Sequence, residues 1–363
     1  IFTLSPEDIQ RVNPNTLTCP IFQSRFDAEL TKKIYQHIPI LIREPKGSQF
    51  EVNPWGISFM AMYHMSNDSH LFKTRQELLG QGYIFEGDCF VKGTEKYGRL
   101  YEAKMISLYN HRHGDFNDAQ NGERAHILPT IPIDRLNDSA YKTSPYYWIP
   151  LSDLIDRVKP NGGFFIFRSI NNSANARAFL GSVIPYSGVG NSAVVVQTTA
   201  NRRKETALWA TFSSIVFEYL IRQKLGGTNI NFFILKQMPV PTPDQFDDME
   251  IEFIAARVIQ LAYTAEDMAP WAKSVGFNGT PFKFDPLQRA KLVAELDAFF
   301  ARKYGLDREE LRYILDPSDV KGEGYPSETF AVLKRNEIRE HDEYRTQRLV
   351  LEAWDKLERG ELH

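Results

Sequence analysis

At 363 residues, 42% hydrophobic and 13% aromatic, the chain can build packed cores over two or more domains. Its two cysteines, Cys19 and Cys89, exclude a disulfide framework and an all-cysteine zinc site, and no run approaches the ~18 apolar residues of a membrane span, so a reducing cytosol fits. The net charge of −3 hides an asymmetry: residues 151–241 hold 10 basic and 4 acidic side chains, residues 242–363 hold 17 and 25, a pattern of one polyanion-binding block beside a region that repels DNA.

Residues 1–24, with Pro6, Pro14 and Pro20, read as a linker, and the absence of an initiating Met suggests a piece of something longer. Phe26, Leu30 and Ile34 recur every four residues and predict a helix from Arg25 to Ile38. Asn53-Pro54-Trp55-Gly56 marks a turn, and Met60, Met62 and Met65 read as core fillers. Tyr83–Val91 and Arg99–Leu108 are strand-like and predict a hairpin turning at Lys92-Gly93-Thr94, followed by a polar loop from Asn110 to Arg124. After Tyr146-Tyr147-Trp148-Ile149-Pro150 comes a short helix. Phe164–Phe167, apolar on both faces, predicts a central strand, with further strands at Ser182-Val183-Ile184 and Ser192–Val196.

Leu208, Phe212, Ile215 and Tyr219 form the stripe of one helix from Glu205 to Leu225, ended by Gly226-Gly227. Phe232–Leu235 then predicts one short buried strand, and prolines 239, 241 and 243 lead the chain out of it. Beyond these, Asp285 with Pro286, Gly305, and Asp307 with Glu310 punctuate helices, and Glu337–Glu358 reads as one long amphipathic helix. The expected fold class is α+β. A linker and helical connector (1–82) precede a mixed α/β region (83–243) and a mainly helical region (244–363).

Several catalytic signatures are missing. Gly188-Val189-Gly190 lacks the third glycine of a phosphate loop, and there is neither a Gly-x-Ser-x-Gly elbow nor a His-Glu-x-x-His helix. His111-Arg112-His113 can contact a metal or phosphate, although such loop residues are more often solvated. Glu102-Ala103-Lys104 on a strand places both side chains on one face, with Asp88 on the neighbouring strand, the residue set of a magnesium-dependent nuclease; the same triplet also arises as a plain ion pair. In the basic block, Arg168, Asn171, Asn172, Asn175 and Arg177 gather at the end of a buried strand, and Arg202, Arg203 and Lys204 at a helix start. Arg and Asn can make bidentate contacts to base edges, and clustered cations neutralise phosphates; a solvated basic loop is the alternative.

Five segments carry a further likeness: Thr18-Cys19-Pro20-Ile21-Phe22; Leu100-Tyr101-Glu102-Ala103-Lys104-Met105-Ile106 with His111-Arg112; Asn229 through Phe232 to Pro241; Leu296 through Tyr304-Gly305-Leu306 to Asp316; and Glu343-Tyr344-Arg345 through Trp354. Together they resemble the C-terminal half of the large adenine-specific DNA methylases of restriction-modification and phage-defence systems, type IIG enzymes and the DISARM methylase among them. The resemblance implies a target-recognition region that grips double-stranded DNA behind a methyltransferase core. That core uses S-adenosylmethionine and an Asp/Asn-Pro-Pro-aromatic motif to hold a flipped adenine. Neither Asn13-Pro14-Asn15-Thr16 nor Asn53-Pro54-Trp55-Gly56 supplies the motif, so the chain is expected to be the recognition part without its catalytic half or a cofactor of its own.

The partners so implied are double-stranded DNA, the methyltransferase half of the same polypeptide and other defence-system subunits, with no membrane. Phosphate contacts are expected from Lys104, Arg112, Arg202, Arg203 and Lys204, and base or backbone contacts from Arg168, Asn171, Asn172 and Arg177. Asn229, Asn231 and Lys236, at the edge of the expected closing strand, are the residues of that strand expected to touch DNA. A nuclease using Asp88, Glu102 and Lys104, and a protein-interaction scaffold using the acidic third, remain alternatives.

Overall fold

Local capping starts structure earlier than the prolines suggest. Ser5 accepts from the Asp8 N–H while Asp8 reaches back to Ser5, and with Pro6 in the first turn this opens helix α1 (Pro6–Val12) inside the expected linker. The computed structural model describes residues 4–20, 22–118, 127–170, 175–225, 227 and 229–362. Helix α2 (Arg25–His37) follows as its periodicity predicts, capped by Ser24. Then come β1 (Ser58–Met60), β2 (Lys73–Thr74), α3 (Arg75–Gly80), β3 (Ile84–Glu86), β4 (Cys89–Lys92) and β5 (Glu95–Tyr101). The expected strand 83–91 is itself a hairpin, because Gly87 at φ +70° turns the chain back before Cys89.

The middle of the chain supplies α4 (Ile133–Leu136), β6 (Tyr147–Pro150), α5 (Leu151–Arg157), β7 (Phe164–Arg168), β8 (Gly181–Ile184), β9 (Gly188–Val189) and β10 (Ala193–Gln197). Two sheets result. One has the order β1-β10-β7-β8; the other runs β2-β6-β5-β4-β3 with β9 beside β5 in parallel, the remaining strand pairings among the described residues being antiparallel. Strands β1 and β2 therefore carry residues of the 1–82 stretch into both sheets. β7 is internal, and its alternation feeds two cores: Phe165 and Phe167 pack into the larger one, Phe164 and Ile166 into the smaller. Met62 is buried in the smaller core, with Met60 and Met65 against it.

Helices complete the α+β fold: α6 (Arg202–Ser213), α7 (Ile215–Arg222), α8 (Phe232–Lys236), α9 (Asp248–Ala262), α10 (Ala269–Ser274), α11 (Pro286–Lys303), α12 (Arg308–Leu315), α13 (Pro317–Lys321), α14 (Ala331–His341) and α15 (Arg345–Glu358). Among the described residues no helix is long and apolar enough to cross a membrane. Three expectations fail here. The helix drawn from 205 to 225 is broken at Ser214, which adopts extended backbone and caps α7. The helix drawn from 337 to 358 is broken at Asp342, which lies in the left-handed region at φ +58°. The stretch 232–235 is a helical turn and not a strand. Asn231 starts it, and Phe232 and Phe233 stay partly exposed while Ile234 and Leu235 are buried.

Candidate nucleic-acid interface

The site is built where β5 stops. Tyr101 still pairs with Val189, but Ser192 Oγ accepts the Ala103 N–H at 3.1 Å and bends the chain into a single 3-10 turn, Ala103–Met105. Glu102 and Lys104 therefore do not alternate along a strand as the nuclease pattern requires, although Lys104 Nζ still lies 3.7 Å from Glu102 Oε2. Asp88 is engaged elsewhere, 2.6 Å from Lys142 and 2.9 Å from Arg99. Among the described residues no three His, Cys, Asp or Glu side chains are grouped to hold a metal. Lys104 itself lies over the Phe116 ring, 4.8 Å from its centroid.

Against this turn lies the end of β7. Arg168 donates from Nε to the Ile106 carbonyl at 3.1 Å and from Nη2 to the same oxygen, and Ser169 Oγ donates to the Ser192 carbonyl at 2.8 Å. Gly114 lets the following loop close in: a Cβ there would sit 2.9 Å from the Lys104 carbonyl. His113, one residue earlier, is pushed down to about 4 by burial and by the Arg168 charge, so at neutral pH it is an uncharged ring beside that cation. Arg168 and His113, whose backbone N–H donates to the Met105 carbonyl at 2.9 Å, are thus both held against the turn that carries Lys104, at one end of the four-stranded sheet. No sequence signal marked His113 apart from its neighbours.

Other expected contacts are absorbed by the fold. Arg112 is fully buried and donates to four backbone carbonyls, those of Asp138, Tyr141, Leu136 and Thr264, at 2.6–2.9 Å, which leaves it no face for a phosphate. His111 is equally buried, its Nε2 3.2 Å from Asp267 Oδ1, so this loop is a core element and not a solvated one. Arg177 reaches the Ser213 carbonyl at 2.5 Å and lies 3.8 Å from the buried Glu218.

The 202–204 cluster sits at the other end of β7. Arg202 bonds the carbonyls of Asn161 and Gly163 at the start of that strand and pairs with Glu205 at 2.8 Å. Arg203 donates to the Val275 carbonyl at 2.6 Å and to Glu252, and Lys204 reaches the Pro243 carbonyl at 3.4 Å. The basic residues of 151–241 thus fall into two groups at opposite ends of the five-residue strand, about 13 Å apart. Lys236 pairs with Glu44 at 2.6 Å. Asn171 and Asn172 lie outside the described residues.

Neither Asn-Pro sequence offers a base-holding pocket. Asn13 accepts from Lys224 Nζ at 2.8 Å, and Asn53 Oδ1 accepts the Ile57 N–H while Trp55 is buried with its indole N–H on the Pro241 carbonyl. Compared with known proteins, the sequence matches no protein-family model and no curated protein.

Proposed function

We propose that the chain is a sequence-specific double-stranded DNA recognition module, the specificity part of an adenine DNA methyltransferase of a restriction-modification or phage-defence system. The observation that carries this reading is the docking of Arg168 onto the turn that carries Lys104, at one sheet end. The turn at 103–105 carries Lys104, which lies over Phe116 and 3.7 Å from Glu102, and the β7 end carries Arg168, whose charge helps keep the neighbouring His113 uncharged. Phosphate recognition needs such fixed cations, and base readout needs side chains carried by the loops around them. The five segments quoted from the sequence support the same reading by resemblance. In it, S-adenosylmethionine and methyl transfer belong to a catalytic half supplied by other residues than these.

The test is direct. Duplex DNA titrated into the purified chain is expected to bind weakly, with affinity falling as salt rises because counterions are released. Labelled S-adenosylmethionine with DNA is expected to give no methyl transfer. A flat salt response, or no binding at low salt, overturns the reading.

A further inference from the structure

A second basic surface lies in the N-terminal stretch, which the sequence marked only as connector. The chain from Arg43 to Val52 folds back on itself through the bridges Arg43–Val52 and Lys46–Gln49, with Gly47 at φ +61° in the turn. This loop walls a cleft of about 650 Å³ whose other side is formed by α1 and α2. Arg11, Arg43 and Lys46 line it, all exposed, and enter none of the ion pairs among the described residues. Of the two acids in its lining, Glu44 is neutralised by Lys236. In the same loop, next to the lining residue Gln49, Phe50 is 89% exposed.

The cleft is rigidly made. Asn15 Nδ2 donates to the Ile42 carbonyl at 2.9 Å, Asn15 Oδ1 accepts the Glu44 N–H at 3.0 Å, and Gln237 Oε1 accepts the N–H groups of Asn15 and Thr16. Its shape is therefore set before any ligand arrives. It is also joined to the interface described above. Ile170, just past Arg168, bridges Asn229, and Lys236 pairs with Glu44 at the cleft. Asn229 and Lys236 are seven residues apart, so this connecting segment spans at most about 25 Å. Between them α8 exposes Phe233, and Phe232 stacks on Phe59 at 5.2 Å.

We infer that this cleft is a second DNA-backbone site: Arg43 and Lys46 hold phosphates of the duplex flanking the recognised segment, and Phe50 lies against a base or sugar beside them. Unpaired cations beside an exposed aromatic ring suit a nucleic acid, whose backbone takes the charge and whose bases take the ring. An acidic peptide would use the cations and leave Phe50 without a role. The inference rests on the DNA-recognition reading and extends it to residues 11–50.

The test uses the full chain, a labelled duplex and anisotropy titrations over a range of salt. R43E/K46E is expected to weaken binding at least about tenfold and to lower the salt slope by about two. F50A, which changes no charge, is expected to weaken binding about tenfold with the slope unchanged. Thermal midpoints should stay as in the parent chain, since none of the three side chains is buried. If both variants bind as the parent does while K104A is impaired, the cleft site is wrong and the recognition reading stands. Absence of duplex binding by the parent chain overturns both.

Discussion

Arg168 gives two of its N–H groups to one acceptor, the Ile106 carbonyl, and so locks the end of β7 onto the turn that carries Lys104. The planar fork does this; a lysine cannot. Arg168→Lys keeps the charge but frees the turn, so duplex affinity should fall about threefold to tenfold while the salt slope is unchanged. Lys104→Ala removes a charge and should lower the slope by about one. Anisotropy titrations at several salt concentrations separate the two effects.

The cations at the other end of β7 should behave differently. Arg203 holds the Val275 carbonyl and Glu252, so Arg203→Ala is expected to cost about 1–2 kcal/mol in denaturant unfolding and to change duplex affinity by less than about twofold. A tenfold loss of affinity at unchanged stability would place DNA at that end too.

Arg112 is a structural test of the same distinction. Its removal leaves four carbonyls without their donor, those of Leu136 and Thr264 in buried bonds, and Arg112→Ala should destabilise the chain by about 3 kcal/mol or more. Arg112→Lys should recover little of this, because an ammonium cannot span the same acceptors. Urea midpoints of the two variants check it.

Asp297 predicts a pH dependence. It is buried, and burial pushes its carboxyl up to about 6 although Arg177 and the Ile215 N–H pull it down. The unfolded chain binds this proton only below about 4. Stability from Asp297 is therefore fully present below about pH 4 and is lost as pH rises from 4 to 6, by up to about 3 kcal/mol. Asn accepts the same Ile215 N–H without ionising. The stability of Asp297→Asn relative to the parent should rise by that amount between pH 4 and 7, read from unfolding curves across the range.

Much of the helical architecture was legible because its signals are local. Asp285 with Pro286, and Asp307 with Glu310, cap helices within their own first turns. The central strand Phe164–Phe167 was legible because a strand between two cores must be apolar on both faces. By contrast Phe232–Leu235 was misread, since four apolar residues fit a strand or a helical turn equally well. What decides it is the surrounding chain, which pins Gln237 to the loop at Asn15 and Thr16 and the Asn229 end to Ile170. Arg112 was misread for a similar reason. Its acceptors lie 24 to 152 positions away, and a sequence shows a charge without showing what surrounds it. The docking of Arg168 onto the turn that carries Lys104 likewise depends on Ser192 bending the chain, a contact across 89 positions.

The break at Ser214 has a consequence for how the chain is made. The first N–H of α7, at Ile215, is sealed by Asp297 Oδ1 at 2.7 Å, 82 positions further along. At translation rates of 5–20 residues per second, a ribosome needs about 4–16 s to deliver that carboxylate. During this interval α7, whose residues Ile215–Ile221 are all buried in the finished protein, waits without the helix that closes over it. The C-terminal region thus acts as a late-arriving clasp on the earlier part of the chain, and nascent chains halted before α11 should be held by chaperones or cleared by proteases.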